Sequence, residues 1–579
     1  MMLRTDDDRR ATWLLLALTA AIFIGSAGIP ALLDDADSFY AVVAREMNLR
    51  HDWITPYANS IRYLEKPPLF YWLIALSYKM FGTTNAFTAR LPTALAVMAL
   101  VFVTSRIGGL LFGMRAGLFA GLALATSIGM FLFTRIILPD ALFTLILALL
   151  VYSFLRWERD QPSTWPLLMI YLFCGFAVLA KGLIGIVFPA GIILGTLLLT
   201  GRVKETGRLL SVKGILLFLV IALPWHLAVG SQNPGFYWFY FINEHLLRFL
   251  GKRYPKDYGT VPLLWFWLLH LVWLFPWSIY LMTLLRPANF KRALEKYGRN
   301  LVLPIVWALT ILLFFSFSSR LEYYTVPAFP ALALLAGSQC AAFWEGNRRG
   351  PGVALAAAGV LMGIALIVIA VTITAGAPDS WFKLKDNPDL YVYYLGHLFD
   401  LTPESLTALR MPMILAAAGL GMLIPLHLFL KRPESKAASL ALGMAVFFLA
   451  ADIAFMTFAP RLTSRPVADE ISRRLTAQSD IVIDGEWSEG SSVAFYTGRV
   501  LWLHNGRKTT LEYGSRYPDA PPLFPDDEAV RRMWNDEGRR VFLVTFASKL
   551  AKLDALIPED KYLLFRYGDK ILFSNRPDR

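Results

Sequence analysis

Long apolar runs recur along the first 458 residues and are separated by polar connections. A helix that crosses the hydrocarbon core of a bilayer needs about 20 mostly apolar residues. The pattern predicts thirteen membrane spans, at 12–33, 87–110, 116–134, 139–155, 165–179, 183–200, 213–230, 261–285, 301–317, 325–344, 352–374, 411–430 and 437–458. The first run is too long for a cleaved signal peptide, so we expect it to be retained as a span.

The composition agrees with a membrane protein. Of the 579 residues, 56% are hydrophobic and 17% are charged, and the mean hydropathy is +0.50. Soluble domains carry roughly 25% charged residues. These values exclude a disordered chain, a coiled coil and a simple soluble enzyme. The two cysteines, Cys174 and Cys340, lie in apolar runs and form no metal-binding motif.

The basic residues predict the orientation of the chain. Short connections on the side of the N-terminus carry twenty-one Lys and Arg residues, which the positive-inside rule assigns to the cytoplasm. With thirteen spans, the C-terminus lies outside. The outer face then holds the segments 34–86, 231–260, 375–410 and 459–579.

The outer segments also carry Lys and Arg residues, although the topology rule does not require them there. One interpretation is that long loops are exempt from the rule. The alternative is that this face binds phosphate groups or anionic lipid headgroups.

The first outer segment contains two predicted helices and three acids. Phe39, Val42, Val43 and Met47 recur at helical spacing, which predicts an amphipathic helix on the membrane surface. A second helix is expected from Pro67–Pro68, since proline is tolerated in a first turn. Acids near a membrane interface need a partner or a role. The acids Asp34, Asp35 and Asp37 precede the first of these helices.

Residues 459–579 are more polar and predict a small α/β domain. Short apolar runs at Asp480–Asp484 and Val541–Thr545 are typical of buried strands. Two further runs, Tyr562–Phe565 and Ile571–Phe573, predict a hairpin, and helical patterns lie at 466–477 and 526–537. This part shows no glycine-rich phosphate loop and no catalytic motif, so the sequence does not indicate its role.

The first outer segment resembles a known family. DDADSFYAVVAREM, HDWITPY and YLEKPPLFYW are similar to the first outer loop of membrane glycosyltransferases of the protein O-mannosyltransferase superfamily, which have the GT-C fold. Four later segments continue the resemblance, and the predicted topology brings all of them to the same face. They are Arg135–Asp140, Leu179–Gly182, Asn243–Phe249 and Ser319–Pro327.

Within this superfamily the chain resembles the enzymes that transfer 4-amino-4-deoxy-L-arabinose from undecaprenyl phosphate to lipid A. The resemblance implies a multi-pass protein of the bacterial inner membrane, with its active site and C-terminal domain in the periplasm. The implied partners are the lipid-linked sugar donor, lipid A and membrane lipids, with no nucleic acid. The implied activity is an inverting pentosyl transfer that gives polymyxin resistance.

The resemblance also implies roles for individual residues. The family's catalytic carboxylate falls on Asp35 or Asp37, which the motif does not separate, and Asp140 supplies a second acid to the same face. A leaving phosphate needs cations or a metal. Glu65 and His245 are the donors available for one divalent metal ion. The expected substrate-binding residues are Arg62, Tyr63, Lys66, Arg135, Lys181, Arg248, Tyr323 and Tyr324.

Two other functions are open from the sequence. A sibling enzyme with another sugar or acceptor, such as a protein O-mannosyltransferase, would share the outer-loop motifs. A lipid-linked sugar transporter or flippase is the alternative from a different class. Transporters often carry internal repeats and ionisable groups within spans, whereas here the acids gather at one interface and no repeat is apparent.

Overall fold

The computed structural model describes residues 6–160, 163–255, 260–346, 348–374, 407–557 and 561–577. All but the last four positions of the predicted outer segment 375–410 therefore lie outside the described residues. The rest of the chain forms a large helical part followed by a smaller part built around a β-sheet.

Every predicted span contains a helix. Apolar segments in lipid become helical because each backbone N–H and C=O must find a partner within the segment. The main helices of this part are Asp6–Phe23, Ala86–Phe112, Met114–Ala125, Ile128–Phe133, Asp140–Arg159, Trp165–Lys181, Ile184–Leu199, Val212–Gln232, Leu263–Trp273, Ser278–Met282, Val302–Ser316, Phe329–Glu345, Gly350–Thr374, Arg410–Leu426 and Pro433–Leu462.

The helices differ in their capacity to cross a membrane. Among the described residues, seven are long and apolar enough by length and composition alone. An eighth crossing is the pair Leu263–Trp273 and Ser278–Leu285, which is bent by 119°. The remaining predicted spans coincide with shorter apolar helices or, at Asp6–Phe23, with a helix whose first turns are charged. The architecture is a multi-pass membrane protein, and it is consistent with thirteen crossings.

Two further helices form the connection between the first two spans, as the sequence predicted. They are Ala36–Arg50 and Leu69–Phe81, and a short hairpin of Tyr57–Ala58 and Ile61–Arg62 lies between them. The face of the first helix opposite its apolar residues carries Glu46. This face is not open to water there, since Glu46 is buried. Arg45 donates to the carbonyls of Ala494 and Phe495, so the C-terminal part covers this side of the helix.

The C-terminal part contains a five-stranded mixed sheet. In sheet order its strands are Trp502–His504, Ser479–Asp484, Arg540–Phe546, Lys570–Ser574 and Tyr562–Tyr567. The first three are parallel, and the last two pair antiparallel across a turn at Gly568 and Asp569. The predicted strands and hairpin are confirmed. The predicted helices appear as Arg465–Ser472 and Asp527–Trp534, while the helix Trp487–Thr497 and the strand Trp502–His504 were not predicted.

This C-terminal part packs against the segments 34–86 and 231–255, and we call the side of the helical part that carries them the loop face. Asp34 accepts hydrogen bonds from Lys570 at 2.6 Å, from Ser464 Oγ at 2.7 Å and from the Ser492 N–H at 2.9 Å. The side chains of Asp34 and Lys570 are 7% and 8% exposed. Asn59 exchanges two hydrogen bonds with the backbone of Leu501. The sheet domain is thereby fixed to the loops that precede the second span.

Candidate active site

A cavity of about 310 Å³ opens on the loop face, between the helical part and the segment 233–255. One part of its wall is apolar and includes Ile184, Val187, Phe241, Phe249, Phe314 and Phe315. The other part carries three cations, Lys66, Lys181 and Arg248. An apolar channel that ends in cations is suited to an amphiphile with an anionic head.

Each cation comes from a different element. Lys66 precedes Pro67 and Pro68 at the start of the helix Leu69–Phe81. Lys181 is the last residue of the helix Trp165–Lys181, and Arg248 follows a π-helical stretch, Trp238–Leu247. π-Helical turns often occur at functional sites. The sequence places these residues 67 or more positions apart, so only the tertiary fold brings them together.

Lys66 is the cation best prepared to receive an anion. Within the described parts of the chain its ammonium group has no hydrogen bond or ion pair. Burial and the neighbouring Arg248 lower the pKa of Lys66 to about 8. The charged form is therefore poorly stabilised by the protein, and a bound phosphate would supply the missing partner.

Two glutamates balance the cations on one side of the cavity. Glu65 accepts from Arg253 at 2.7 Å, and Glu244 accepts from Arg253 at 2.7 Å and from Arg248 at 3.0 Å. Burial raises the pKa of Glu65, and the adjacent Arg253 opposes that shift. Arg253 therefore links the first outer segment to the segment 233–255. Sequence reasoning assigned no role to Glu244 or Arg253, although both lie in a loop already noted for its basic residues.

Asp140 lies beside the cavity. It begins the helix Asp140–Arg159 and is 2% exposed. One carboxylate oxygen is paired with the ammonium of Lys181, which lines the cavity. Its Oδ2 atom is buried and accepts no hydrogen bond from the described residues. The structure thus places Asp140 on the same face as the cations, as the sequence predicted. Its Oδ2 atom could accept a further hydrogen bond.

The structure places Asp37 away from the cavity lining. Its carboxylate is paired with Arg90 and accepts from the N–H groups of Leu33 and Ile137, each at 3.0 Å. The pair joins the first outer segment to the second span and to the loop before Asp140. These contacts occupy both oxygens, which favours a structural role for Asp37.

Asp35 is likewise not among the residues that line the cavity. It precedes the helix Ala36–Arg50 with a φ of 66°, an unusual value for a residue other than glycine. Its N–H donates to Ser488 O and Ser491 Oγ, each at 3.0 Å. The backbone at Asp35 therefore contacts the C-terminal domain.

The two predicted metal ligands, Glu65 and His245, both line the cavity. In His245, Nδ1 lies 2.6 Å from Tyr240 O, and Nε2 accepts from the Leu183 N–H at 3.2 Å. Burial lowers the pKa of His245 to about 4, so the ring is neutral at pH 7. Among the residues described, no group of three or more His, Cys, Asp and Glu could hold a metal ion. Glu65 and His245 by themselves do not form a complete metal site, so we assign no step to a metal ion, and its presence stays a prediction.

Gly182 is required by the packing around His245. Its φ is +77°, and a Cβ atom built there would lie 2.1 Å from His245 Nε2. A side chain at this position would push the imidazole and the loop after Lys181 apart. The family-like Leu179–Gly182 segment thus has a steric explanation in this structure.

The other predicted binding residues divide into two groups. Tyr324 lines the cavity with its ring 5.3 Å from Lys181 Nζ, and Tyr323 packs against it with a ring separation of 5.0 Å. Tyr63 donates to Glu65 at 3.4 Å. Tyr324 therefore lines the charged end of the cavity, and Tyr63 and Tyr323 each contact a lining residue.

Arg62 and Arg135 point elsewhere. Arg62 makes a bidentate pair with Asp519 of the C-terminal domain, at 2.7 and 2.8 Å. Arg135 donates to Asp452 at 3.1 Å and to the Ile22 carbonyl at 3.0 Å. Both guanidinium groups pair with acidic side chains, and neither residue lines this cavity. Arg135 Nε is buried without a partner among the described residues, but the structure does not support a phosphate contact for either arginine in this cavity.

Comparisons with known proteins agree with this description. Residues 65–227 match the family model of dolichyl-phosphate-mannose-protein mannosyltransferases. An undecaprenyl phosphate-α-4-amino-4-deoxy-L-arabinose arabinosyl transferase from Pseudomonas savastanoi pv. phaseolicola is 29% identical over 355 residues, which are 60% of this chain and 64% of the relative. The enzyme of the same name from Pseudomonas aeruginosa UCBPP-PA14 is 30% identical over 385 residues, 62% of this chain and 65% of the relative. These matches cover less than two thirds of the relatives.

Solved structures match over nearly the whole chain. ArnT from Cupriavidus metallidurans bound to undecaprenyl phosphate superposes with a TM-score of 0.81 at 22% identity, covering 97% of this chain and 98% of ArnT. Its apo form gives a TM-score of 0.82 at 22% identity, with 97% of each chain covered. The fold predicted from the sequence, a GT-C membrane fold with a C-terminal α/β domain, is confirmed, and so is the resemblance to this group of transferases.

Proposed function

We propose that this protein transfers 4-amino-4-deoxy-L-arabinose from an undecaprenyl phosphate carrier to a phosphate of lipid A. The observation that carries the proposal is the cavity in which apolar walls meet Lys66, Lys181 and Arg248. The names of the curated relatives supply the sugar and the carrier. The superposable ArnT, which is described as bound to undecaprenyl phosphate, supports the same carrier class.

In this proposal the donor lies with its phosphate at the three cations and its polyprenyl chain along the apolar wall. Arg248 offers N–H groups to phosphate oxygens, while Lys66 and Lys181 act as point charges. Because the three cations are partly buried, each charge stabilises the anion more than it would in solution. The arrangement favours the leaving phosphate, on which negative charge collects as the reaction proceeds.

The reaction exchanges one bond at the anomeric carbon for another. The bond from that carbon to the carrier phosphate oxygen breaks, and the electron pair leaves with undecaprenyl phosphate. A bond forms from the same carbon to an oxygen of the lipid A phosphate. Attack from the side opposite the leaving group inverts the configuration of the sugar. One bond breaks and one forms, so the reaction needs no further reactant.

The acceptor phosphate needs little help from a base, since the second pKa of a phosphate monoester is roughly 6. Asp140 is the carboxylate nearest the cations with a free acceptor atom. In this proposal Asp140 either stabilises the positive charge that develops on the sugar or orients the acceptor phosphate. Phosphates of lipid A capped in this way carry less negative charge, which accounts for the expected polymyxin resistance.

The membrane is expected to be the bacterial inner membrane, with the loop face and the C-terminal domain in the periplasm. The support is the excess of Lys and Arg in the short connections of the opposite side. Val500 of the C-terminal domain is 44% exposed and suits a labelling test. With Cys174 and Cys340 replaced, Val500→Cys should react with an impermeant maleimide in intact spheroplasts. Labelling that requires broken membranes would contradict this orientation.

Mass spectrometry of lipid A tests the activity. Cells with the wild-type protein should gain aminoarabinose on lipid A, and Lys66→Ala and Arg248→Ala should lose about tenfold or more of it, since charge-assisted bonds contribute roughly 1.5–3 kcal/mol each. Lys79→Ala is the control, because Lys79 packs over the ring of Trp53 at 4.6 Å, outside the cavity lining. Unmodified lipid A in the presence of well-expressed wild-type protein would overturn the proposal. Sugar on a protein acceptor instead would indicate the sibling O-mannosyltransferase activity.

A further inference from the structure

Lys66, Lys181 and Arg248 repel each other, and ion pairs with Asp140 and Glu244 compensate only the last two. The packing around the cations must therefore also hold their positions. The residues next to Lys66 and Lys181, and the stretch that leads to Arg248, share one apolar cluster behind the cavity. Leu64, Leu179, Trp225, Phe239 and Tyr240 belong to it. Such packing holds charged groups in a geometry that they would not adopt unaided.

The C-terminal domain completes this cluster with a single segment, Glu512–Tyr517. Tyr513 and Tyr517 pack against the apolar cluster from outside. The ring of Tyr513 stacks on Phe239 with centroids 3.6 Å apart and planes 7° apart. Phe239 lies in the π-helical stretch Trp238–Leu247, which also carries Glu244 and His245. The stacking therefore fixes the stretch that lines the cavity.

The same segment contacts the other end of the loop 233–255. Tyr517 donates from its hydroxyl to the Pro234 carbonyl at 2.8 Å. Tyr254, next to Arg253, donates to Glu512 at 2.7 Å. Both ends of the loop and its helical middle are therefore held by six consecutive residues.

The first outer segment also contacts the segment Glu512–Tyr517. The guanidinium of Arg62 lies 4.3 Å from the centre of the Tyr517 ring. A Cβ atom at Gly514 would lie 1.9 Å from the Arg62 carbonyl oxygen, so the two backbones are in close contact. Arg62 precedes Glu65 and Lys66 by three and four positions. One segment thus contacts two of the loops that carry cavity residues.

We propose that the segment Glu512–Tyr517 is a positioning element that sets the separation of the two cavity-lining loops, with Tyr513 as its central residue. The inference rests on the proposed function for what the cavity binds, but not for how the loops are held. It gives the C-terminal domain a role in the active site without placing any of its residues on the substrate.

The test compares Tyr513→Ala, Tyr513→Phe and the control Tyr562→Ala, a residue 40% exposed on the outermost strand of the same sheet. Tyr513→Ala should increase amide hydrogen exchange in Trp238–Leu247, with an unchanged thermal unfolding midpoint for the domain. It should weaken undecaprenyl phosphate binding about tenfold or more, because small displacements at a site have large effects. Tyr513→Phe keeps the ring and should behave as wild type, like Tyr562→Ala.

Tyr517→Phe is a milder second variant, in case Tyr513→Ala fails to fold. It removes the hydroxyl that donates to Pro234 and interacts with Tyr513 but keeps the ring, so binding should weaken about threefold. Wild-type exchange and wild-type affinity in both variants would overturn the positioning role, as would faster exchange with unchanged affinity. A wild-type protein that does not bind undecaprenyl phosphate would instead count against the proposed function, and the exchange measurements would still decide whether the segment holds the loop.

Discussion

Asp37 and Arg90 form an ion pair in which the side chains are 1% and 3% exposed. Arg90 also donates to the carbonyls of Ala27 and Pro30, so the pair connects the end of the first span to the start of the second. A buried pair of this kind makes the two charges dependent on each other, because either one alone would be left without a partner.

Asp37→Asn should therefore destabilise the protein by about 3–5 kcal/mol, since it leaves the Arg90 guanidinium uncompensated. The measurement is thermal unfolding in detergent, with expression level as a second readout. A double variant with Arg90→Gln should lose less than the sum of the single changes. Normal stability together with abolished transfer would contradict this interpretation and indicate a catalytic role for Asp37.

Asp140→Asn should leave the fold intact and lower transfer by about two orders of magnitude. The change keeps the shape of the side chain but removes the charge that pairs with Lys181, which lines the cavity. The measurement is the rate of aminoarabinose transfer at matched expression, with polymyxin survival as its cellular equivalent. Asp35→Asn is the comparison variant. Full activity of Asp140→Asn would show that Asp140 has no part in the mechanism.

Binding of the carrier should depend on pH through Lys66. Its pKa of about 8 means that the ammonium is charged below that pH and neutral above it. A phosphate monoester is already a dianion above pH 7, so its own charge stays constant there. The affinity for undecaprenyl phosphate should thus fall as pH rises through about 8.

Lys66→Arg is the matched variant for this titration, because a guanidinium remains charged throughout the range. Its affinity should stay level where that of the wild type falls. Equal pH profiles for the two proteins would show that another group controls the dependence.

Gly182→Ala should impair the site more than an equivalent change elsewhere. Gly298 provides the control, because its φ and ψ of 53° and −132° are close to the 77° and −148° of Gly182, yet nothing lies within 4 Å of its Cβ position. Both alanine variants carry similar backbone strain, and only Gly182→Ala adds the collision with His245. Thermal unfolding should differ between them by about 1–3 kcal/mol. Equal midpoints would mean that the imidazole moves aside freely.

Much of the fold follows from local patterns, and those parts could be predicted. The apolar runs, the helix Ala36–Arg50 and the strand Ser479–Asp484 each express a periodicity within a few residues. The gathering of Lys66, Lys181, Arg248 and Asp140 was predicted from their motifs and a common face. Their detailed partners were not.

The remaining features depend on residues far apart in the chain. Asp35 and Asp37 precede the same helix and cannot be separated by spacing. Their difference comes from Arg90, a buried cation that begins an otherwise apolar run and so signals an acidic partner. Arg62 resembled a phosphate ligand because the sequence cannot show Asp519, which lies 457 positions away.

The contact between Asp34 and Lys570 spans 536 positions of the chain. At roughly 5–20 residues per second of synthesis, Asp34 precedes its partner by on the order of one minute. During that interval the early helices can insert and pack, but the loops around the cavity lack the layer that covers them. The protein therefore acquires the complete surroundings of its cavity only when translation is nearly complete, so a truncated chain would insert into the membrane with an incomplete site.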